Sequence, residues 1–276
     1  MFNRQRQLIQ AIGFLSREKP GFGKTYLMKA LFLLKQKLPE KIGYDFFPYN
    51  YGPFSQMVYE DLNAIGVESL FDQPSMRLTE NGEKLLESIK VDESTISELK
   101  QITEKFPGLG AIKNFVYANY PEYTVRSLEK KIKKNNDRGI FSIGYEGKTI
   151  DNFLNALIQN NITVLVDVRK NAFSMKKGFS KNQLKHYLEK RACINYIHTP
   201  ELGVESEKRK NLETVKDYKE LFRQYAKELS EKKDELEKLE NLGKQQRIAL
   251  MCFEADKDCC HRGIISKFLQ AEVVHI

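Results

Sequence analysis

The densest run of reactive side chains is Cys252-Phe-Glu-Ala-Asp-Lys-Asp-Cys-Cys-His-Arg262. Three chemistries are open to it. Cys260, beside His261 at an expected helix start, is a candidate nucleophile, because a helix N-terminus and a neighbouring imidazolium both favour thiolate. Glu254 is a candidate general base or nucleophile. Arg262 suits an anion, since guanidinium pairs bidentately with phosphate or carboxylate. Other readings are disfavoured by spacing. A phosphatase-type Cys-x5-Arg loop is absent, because Arg262 is ten residues from Cys252 and two from Cys260. Contiguous Cys259, Cys260 and His261 lack metal-ligand spacing, so no metal is expected. Cys252 closes an apolar run and is expected in the core. The run assigns no cofactor.

These residues need a scaffold, and the second half of the chain supplies one by pattern. Ile140–Ile143, Thr163–Val168, Asn195–His198, Arg247–Cys252 and Glu272–Ile276 read as strands. Helical patterns lie between them: Thr149–Asn160, a helix from a Ser180-x-x-Gln183 capping box, a long one over Leu212–Leu242, continuous or interrupted, and Gly263–Leu269. Tyr218, Leu221, Phe222, Tyr225 and Leu229 form the buried stripe of the long helix. This alternation predicts a Rossmann-like three-layer α/β/α domain with a mostly parallel sheet. Ligands of such sheets collect beyond the carboxyl ends of the strands. The polar candidates fall there: Tyr145 and Glu146 after the first strand, Asp167 and Arg169 at the end of the second, Glu201 and Gly203 after the third, and Glu254, Cys260, His261 and Arg262 after the fourth. Ser174, in the loop Lys170–Gly178, is a further ligand contact. Glu146, Asp167, Glu254 and Cys260 are the catalytic candidates; Tyr145, Arg169, Ser174, Gly203, His261 and Arg262 the ligand-binding ones. Asp167 and Arg169 also read as a simple structural ion pair.

Gly144-Tyr-Glu, Asp167-Val-Arg169, Gly178-Phe-Ser, Glu201-Leu-Gly203 and Cys252-x-Glu254 with Cys260-His-Arg262 resemble the motif set of the widespread bacterial family called domain of unknown function 488. The resemblance covers roughly residues 139 to 276. It implies a Rossmann-like α/β domain and supplies no established reaction. Many members carry His after the first glycine, where this chain has Tyr145-Glu146, so an imidazole role at that point does not carry over.

The first half reads differently. Residues 6–16 and Thr25–Leu38 are helical, Ser55–Ile65 is a helix ended by Gly66, Leu70-Phe71 and Met76–Leu78 are short strands around Asp72–Ser75, and Thr79 caps a further helix. Gly21-Phe-Gly-Lys-Thr25 lacks the first glycine of a phosphate loop, having Glu18 there, and follows a helix rather than a strand. The order suggests a winged-helix-like domain, a frequent DNA reader. Gln56, Tyr59, Asn63 and Arg77 are the nucleic-acid candidates, although Glu60 and Asp61 would face phosphates badly. Tyr51-Gly-Pro-Phe-Ser and the helix before it resemble small helical domains of antitoxin-like regulatory proteins, many of which bind proteins. DNA binding and protein interaction both stand. The expected organisation is residues 1–91, a helical connector over 92–137, and the α/β domain over 138–276. The lysines of Ser127–Asp137 read as a solvated linker.

The 276 residues are 41% hydrophobic and 30% charged, as in soluble globular proteins, and are enough for two cores. The net charge of +8 favours polyanionic partners, nucleic acid above all. Four clustered cysteines are too few for a disulfide framework, so a reducing cytoplasm is expected. No apolar run reaches the ~20 residues of a membrane span, and Met1-Phe-Asn-Arg-Gln-Arg-Gln does not lead into a signal peptide. The expected function is nucleotide- or nucleic-acid-directed. A phosphate-binding site lies in the α/β domain, with acids for proton transfer if the protein is a hydrolase or transferase. The alternative is a non-catalytic ligand sensor whose first domain docks a protein in a defence or stress system.

Overall fold

A computed structural model describes residues 1–65, 67–69, 76–129, 137–209 and 215–276. The chain divides into two units, Met1–Ile132 and Lys133–Ile276. Among the described residues no helix is long and apolar enough to cross a membrane.

The first unit is largely helical. Helix α1 (Asn3–Glu18) and helix α2 (Lys24–Lys37) open it. Every residue of α2 from Tyr26 to Leu34 is buried, the signature of a helix enclosed on all sides. Gly23 is its N-cap, so Gly21–Thr25 starts a helix and nothing more. A hairpin follows, β1 (Phe47–Tyr49) and β2 (Gly52–Phe54), with Phe47 opposite Phe54 and Pro48 opposite Pro53. The sequence hid this hairpin, because proline in both strands argues for loop; a two-stranded ribbon tolerates it, having open edges where no N–H is needed. Ser55 caps α3 (Gln56–Ala64) by accepting from the Val58 N–H at 3.2 Å. Strands β3 (Val67–Ser69) and β4 (Met76–Leu78) pair antiparallel. The expected strand Leu70-Phe71, the turn Asp72–Ser75 and Gly66 lie outside the described residues.

Thr79 caps α4 (Glu80–Glu87) through the Gly82 N–H, as its position predicts. Helix α5 (Glu93–Lys105), capped by Asp92, packs on α1 and α2, and α6 (Leu109–Asn119) packs on α2. The stretch expected as a connector therefore contributes its helices to the first unit. Its basic run over 130–136 lies outside the described residues.

The second unit runs β5 (Gly139–Gly144), α7 (Ile150–Gln159), β6 (Val164–Asp167), α8 (Lys181–Arg191), β7 (Asn195–His198), α9 (Val215–Ser230), α10 (Lys233–Gln245), β8 (Arg247–Cys252), α11 (His261–Phe268) and β9 (Val273–His275). The sheet order is β7-β6-β8-β5-β9, and every described pairing is parallel. The fourth strand in chain order, β8, thus inserts between the first two. Its neighbours are in register, Gly144 beside Cys252 and Asp167 beside Met251. Ile140, Val164, Val166, Ile248 and Leu250 pack against Leu221, Tyr225 and Leu229 of α9, Leu236 and Leu239 of α10, and Ile265 of α11. The alternate residues Phe141, Ile143, Leu165, Ala249 and Met251 are buried as well, so both faces of the sheet are covered.

One local expectation is refined and another changes. The long helix is two, α9 and α10, broken at Glu231 and Lys232; residues 211–214 and the Tyr218 side chain lie outside the description. Ser180 precedes α8 but forms no capping box. Its hydroxyl donates to the Ser174 carbonyl and accepts from the Ser174 N–H, while Gln183 Oε1 accepts from the Gly178 N–H. Both side chains hold the preceding loop instead.

Lys29 is a buried cation in the middle of α2, donating to the Tyr51 carbonyl. Burial, reinforced by Lys113, lowers its pKa from 10.5 to about 8, against the pull of Glu129. The unfolded chain then binds more protons than the folded one between those values, so stability should rise as pH climbs from about 8 to 10.5. Urea midpoints across that window should show the rise in the wild type and not in Lys29→Met.

Candidate functional site

The carboxyl ends of β5, β8 and β6 stand side by side, because β8 lies between the other two. Pairing continues past the strands: the Tyr145 N–H donates to the Cys252 carbonyl at 3.3 Å and the Glu146 N–H to the Phe253 carbonyl at 2.8 Å. Gly144 is required for this approach, since a Cβ there would sit 1.8 Å from the Glu254 carbonyl oxygen. Gly203 has the same kind of role, with a Cβ position 2.1 Å from the Lys170 nitrogen. It is a backbone contact rather than a ligand one.

A buried ionic network forms at the end of β6. Both Asp167 oxygens are taken: Oδ1 accepts from Arg169 N and Nε at 3.1 and 2.8 Å, and Oδ2 accepts from Arg169 Nη2 and the Tyr196 hydroxyl, each at 2.6 Å. Arg169 Nη1 donates to Tyr145 Oη at 3.0 Å. Burial opposes the guanidinium charge, yet the hydrogen bonds and charge of Asp167, joined by Tyr145, hold its pKa above the ordinary arginine value. Burial, with Asp167 beside it, raises the Tyr196 phenol above the usual tyrosine range. The His198 Nε2–H donates to the Arg169 carbonyl at 2.9 Å, leaving Nδ1 to accept from Lys181. Asp167 and Arg169 thus form a buried ion pair, the structural alternative to their roles as base and anion clamp.

Tyr145 joins this network to the loop after β6. Its ring stacks on Phe179 at 4.3 Å, and its hydroxyl donates to Ser174 Oγ at 3.3 Å. Ser174 in turn accepts from the Lys176 N–H. Lys176 Nζ donates to the Tyr145 carbonyl at 3.0 Å; burial and neighbouring Lys148 lower its pKa, against the charge of Glu146. Glu146 is exposed, with Oε2 accepting from the Ala255 N–H at 2.9 Å. Glu254 is half-buried, with Oε2 3.4 Å from Cys252 Sγ.

Arg262 is also corrected. It is buried, and its guanidinium closes the loop after β8 by donating to the Glu254 and Ala255 carbonyls at 2.5 and 2.7 Å and to Ser142 Oγ at 3.3 Å. His261 is buried as well. Its Nε2–H donates to the Val168 carbonyl at 3.0 Å, so Nδ1 carries the lone pair, 3.5 Å from Cys252 Sγ and 3.8 Å from Cys260 Sγ. Cys260 is buried, and burial together with Cys252 pushes its thiol far above the usual range, the opposite of an activated nucleophile.

Sequence reasoning missed Tyr196, His198 and Lys176, and counted Cys252 as packing. A signal existed for the first two: they are two apart on a strand, hence on one face. In the first unit Gln56 is buried and hydrogen-bonds Glu60, so it is turned from solvent, whereas Asn63 and Arg77 are exposed and Tyr59 half-buried. Asp61 is buried, accepting from Arg4, Gln5 and Tyr44.

The second unit is thus a parallel-sheet α/β domain whose strand ends carry a polar, partly open cluster. Residues 149–269 match the family described as Domain of unknown function DUF488. The match begins just after Gly144-Tyr-Glu146 and includes the remaining motif residues. No curated protein matches the chain.

Replacing Asp167 by Asn leaves the buried Arg169 charge without its counter-ion and should cost about 3–5 kcal/mol. Tyr196→Phe removes one hydrogen bond to the carboxylate and should cost about 1–2 kcal/mol. Denaturant unfolding of the two variants checks the ratio.

Proposed function

We propose that the α/β unit binds a phosphate-bearing ligand, a nucleotide or a nucleic-acid segment, at the carboxyl ends of β5, β8 and β6, and that a glutamate there moves a proton. The supporting observation is the company that Lys176 keeps: its Nζ donates to the Tyr145 carbonyl, and Glu146 and Lys148 lie close enough to act on its charge. Lysines, not the buried arginines, are the cations left to meet phosphate. Phe253 packs edge-on to Tyr145 and is 41% exposed, while Phe173 and Met175 of the neighbouring loop are also exposed. An exposed ring beside a cation is the surface on which a base stacks while its phosphate is neutralised. Of the acids, Glu146 and Glu254 retain access, and Glu254 is the better proton carrier, being half-buried at the end of the central strand.

Fluorescent nucleotides and short oligonucleotides, titrated onto the full chain, should bind with an affinity that falls as salt rises. Lys148→Ala with Lys176→Ala should weaken binding about tenfold and flatten that salt dependence. Glu254→Gln should keep binding and abolish turnover. Absence of binding to any phosphate-bearing probe sinks the proposal; binding unaffected by the lysine pair moves it elsewhere.

For the first unit, DNA binding by a winged-helix-like arrangement rests on Tyr59, Asn63 and Arg77. A specific observation favours a protein partner instead: Gln56 is buried, and the start of α3 lies beside a groove lined by Met28, Tyr49, Pro53, Phe54 and Tyr59, which is mostly apolar. If the unit reads DNA, Asn63→Ala and Arg77→Ala should each lower duplex affinity, Arg77→Ala with a shallower salt slope. Affinity indifferent to both substitutions and to salt supports the protein-docking reading.

A further inference from the structure

Cys252, Cys260 and His261 converge in a way the linear sequence does not announce. Cys252 ends β8, Cys260 is the N-cap of α11 and His261 its first residue. All are at most 1% exposed. Cys252 Sγ, Cys260 Sγ and a ring nitrogen of His261 lie within 4.8 Å of one another. We propose that these side chains form a binding site for a borderline-soft divalent ion of the Zn²⁺ class, which ties the end of β8 to the start of α11.

The geometry carries this inference. A tetrahedral ion with bonds of about 2.3 Å to sulfur and about 2.0 Å to nitrogen sets its sulfur and nitrogen ligands roughly 3.5 Å apart. The distances from Nδ1 to Cys252 Sγ and Cys260 Sγ are 3.5 and 3.8 Å. The imidazole is already in the required tautomer. A carbonyl can only accept, so Nε2 bears the proton that bonds Val168, and the Nδ1 lone pair points at the sulfurs. A ligating histidine is ordinarily oriented in this manner, by giving its other N–H to a backbone acceptor. Tyr225 adds an edge-on ring contact at 5.7 Å that holds the imidazole plane. Two sulfurs and an imidazole form a donor set that selects zinc over the hard ions Mg²⁺ and Ca²⁺.

Three protein donors leave a fourth position, which a ligand from solvent can take. Binding releases both thiol protons to solvent and involves no redox change: Zn²⁺ and two thiols give a neutral bis-thiolate pair with the metal. Exposed Cys259 lies outside the set; its sulfur is paired with Asp256 at 3.8 Å. The inference stands apart from the ligand reading above, since it needs no substrate.

The test is a Co²⁺ titration of the chelator-treated full chain. Near-ultraviolet thiolate-to-cobalt absorption with tetrahedral visible bands is expected to saturate at about one ion per chain, and Zn²⁺ should displace it. Cys259→Ser should retain the spectrum, and Cys252→Ser, Cys260→Ser and His261→Gln should each lose most of it while circular dichroism reports a folded chain. Wild-type protein decides the matter where a variant does not fold. A folded wild-type chain without the charge-transfer band overturns the proposal, as does a metal-free chain with a Cys252–Cys260 disulfide recovered by mass spectrometry. A full spectrum surviving in folded Cys252→Ser or Cys260→Ser overturns it equally.

Discussion

The parallel pairing of β8 with β5 on one side and β6 on the other is the constraint on which the second unit rests. It is a long-range event: β8 starts at Arg247 and its partners are finished by Asp167. Once made, it determines which loops are neighbours. The register that sets Gly144 beside Cys252 and Asp167 beside Met251 brings Gly144, Cys252 and Val168 to the same level of the sheet. The Gly144 backbone can approach the Glu254 carbonyl only because no Cβ intervenes.

Burial then decides what the charged groups can do. A guanidinium inside a protein must be paired, because removing it from water costs several kcal/mol. Arg169 finds Asp167 and Tyr145, and Arg262 finds two carbonyls and a hydroxyl. Each is thereby spent on shaping a loop. Lysines, whose long stems let the ammonium stay near water, are left as the cations of the open surface. The same logic separates the cysteines: Cys252 and Cys260 face one imidazole in the interior, while Cys259, between them in sequence, is exposed.

The first unit obeys a similar economy around α2, whose central residues are buried on all sides. Helices α5 and α6 supply much of that cover, which is why a segment polar enough to read as a connector belongs to the unit. Asp61, on the helix α3 that carries the nucleic-acid candidates, is turned inward onto Arg4, Gln5 and Tyr44.

Local pattern was enough for the order of strands and helices in the second unit, for the parallel α/β class, and for the Thr79 cap, whose hydroxyl accepts from the N–H group three residues on. Such features depend on periodicity and on neighbours a turn away, and those are written in consecutive residues. The resemblance of the strand-end motifs to the DUF488 family was legible for the same reason. Partnership was not. Whether Arg262 meets a ligand or a carbonyl, whether Ser180 caps its own helix or pins Ser174, and whether His261 reaches Cys252 as well as the adjacent Cys260 depend on which loops the sheet sets side by side. Strand order is decided by contacts between residues far apart in the chain. The opening run of cysteines, acids and arginine was therefore found by its composition, while only the tertiary structure sorted it into an exposed thiol, a loop-closing arginine and a buried Cys252–Cys260–His261 cluster.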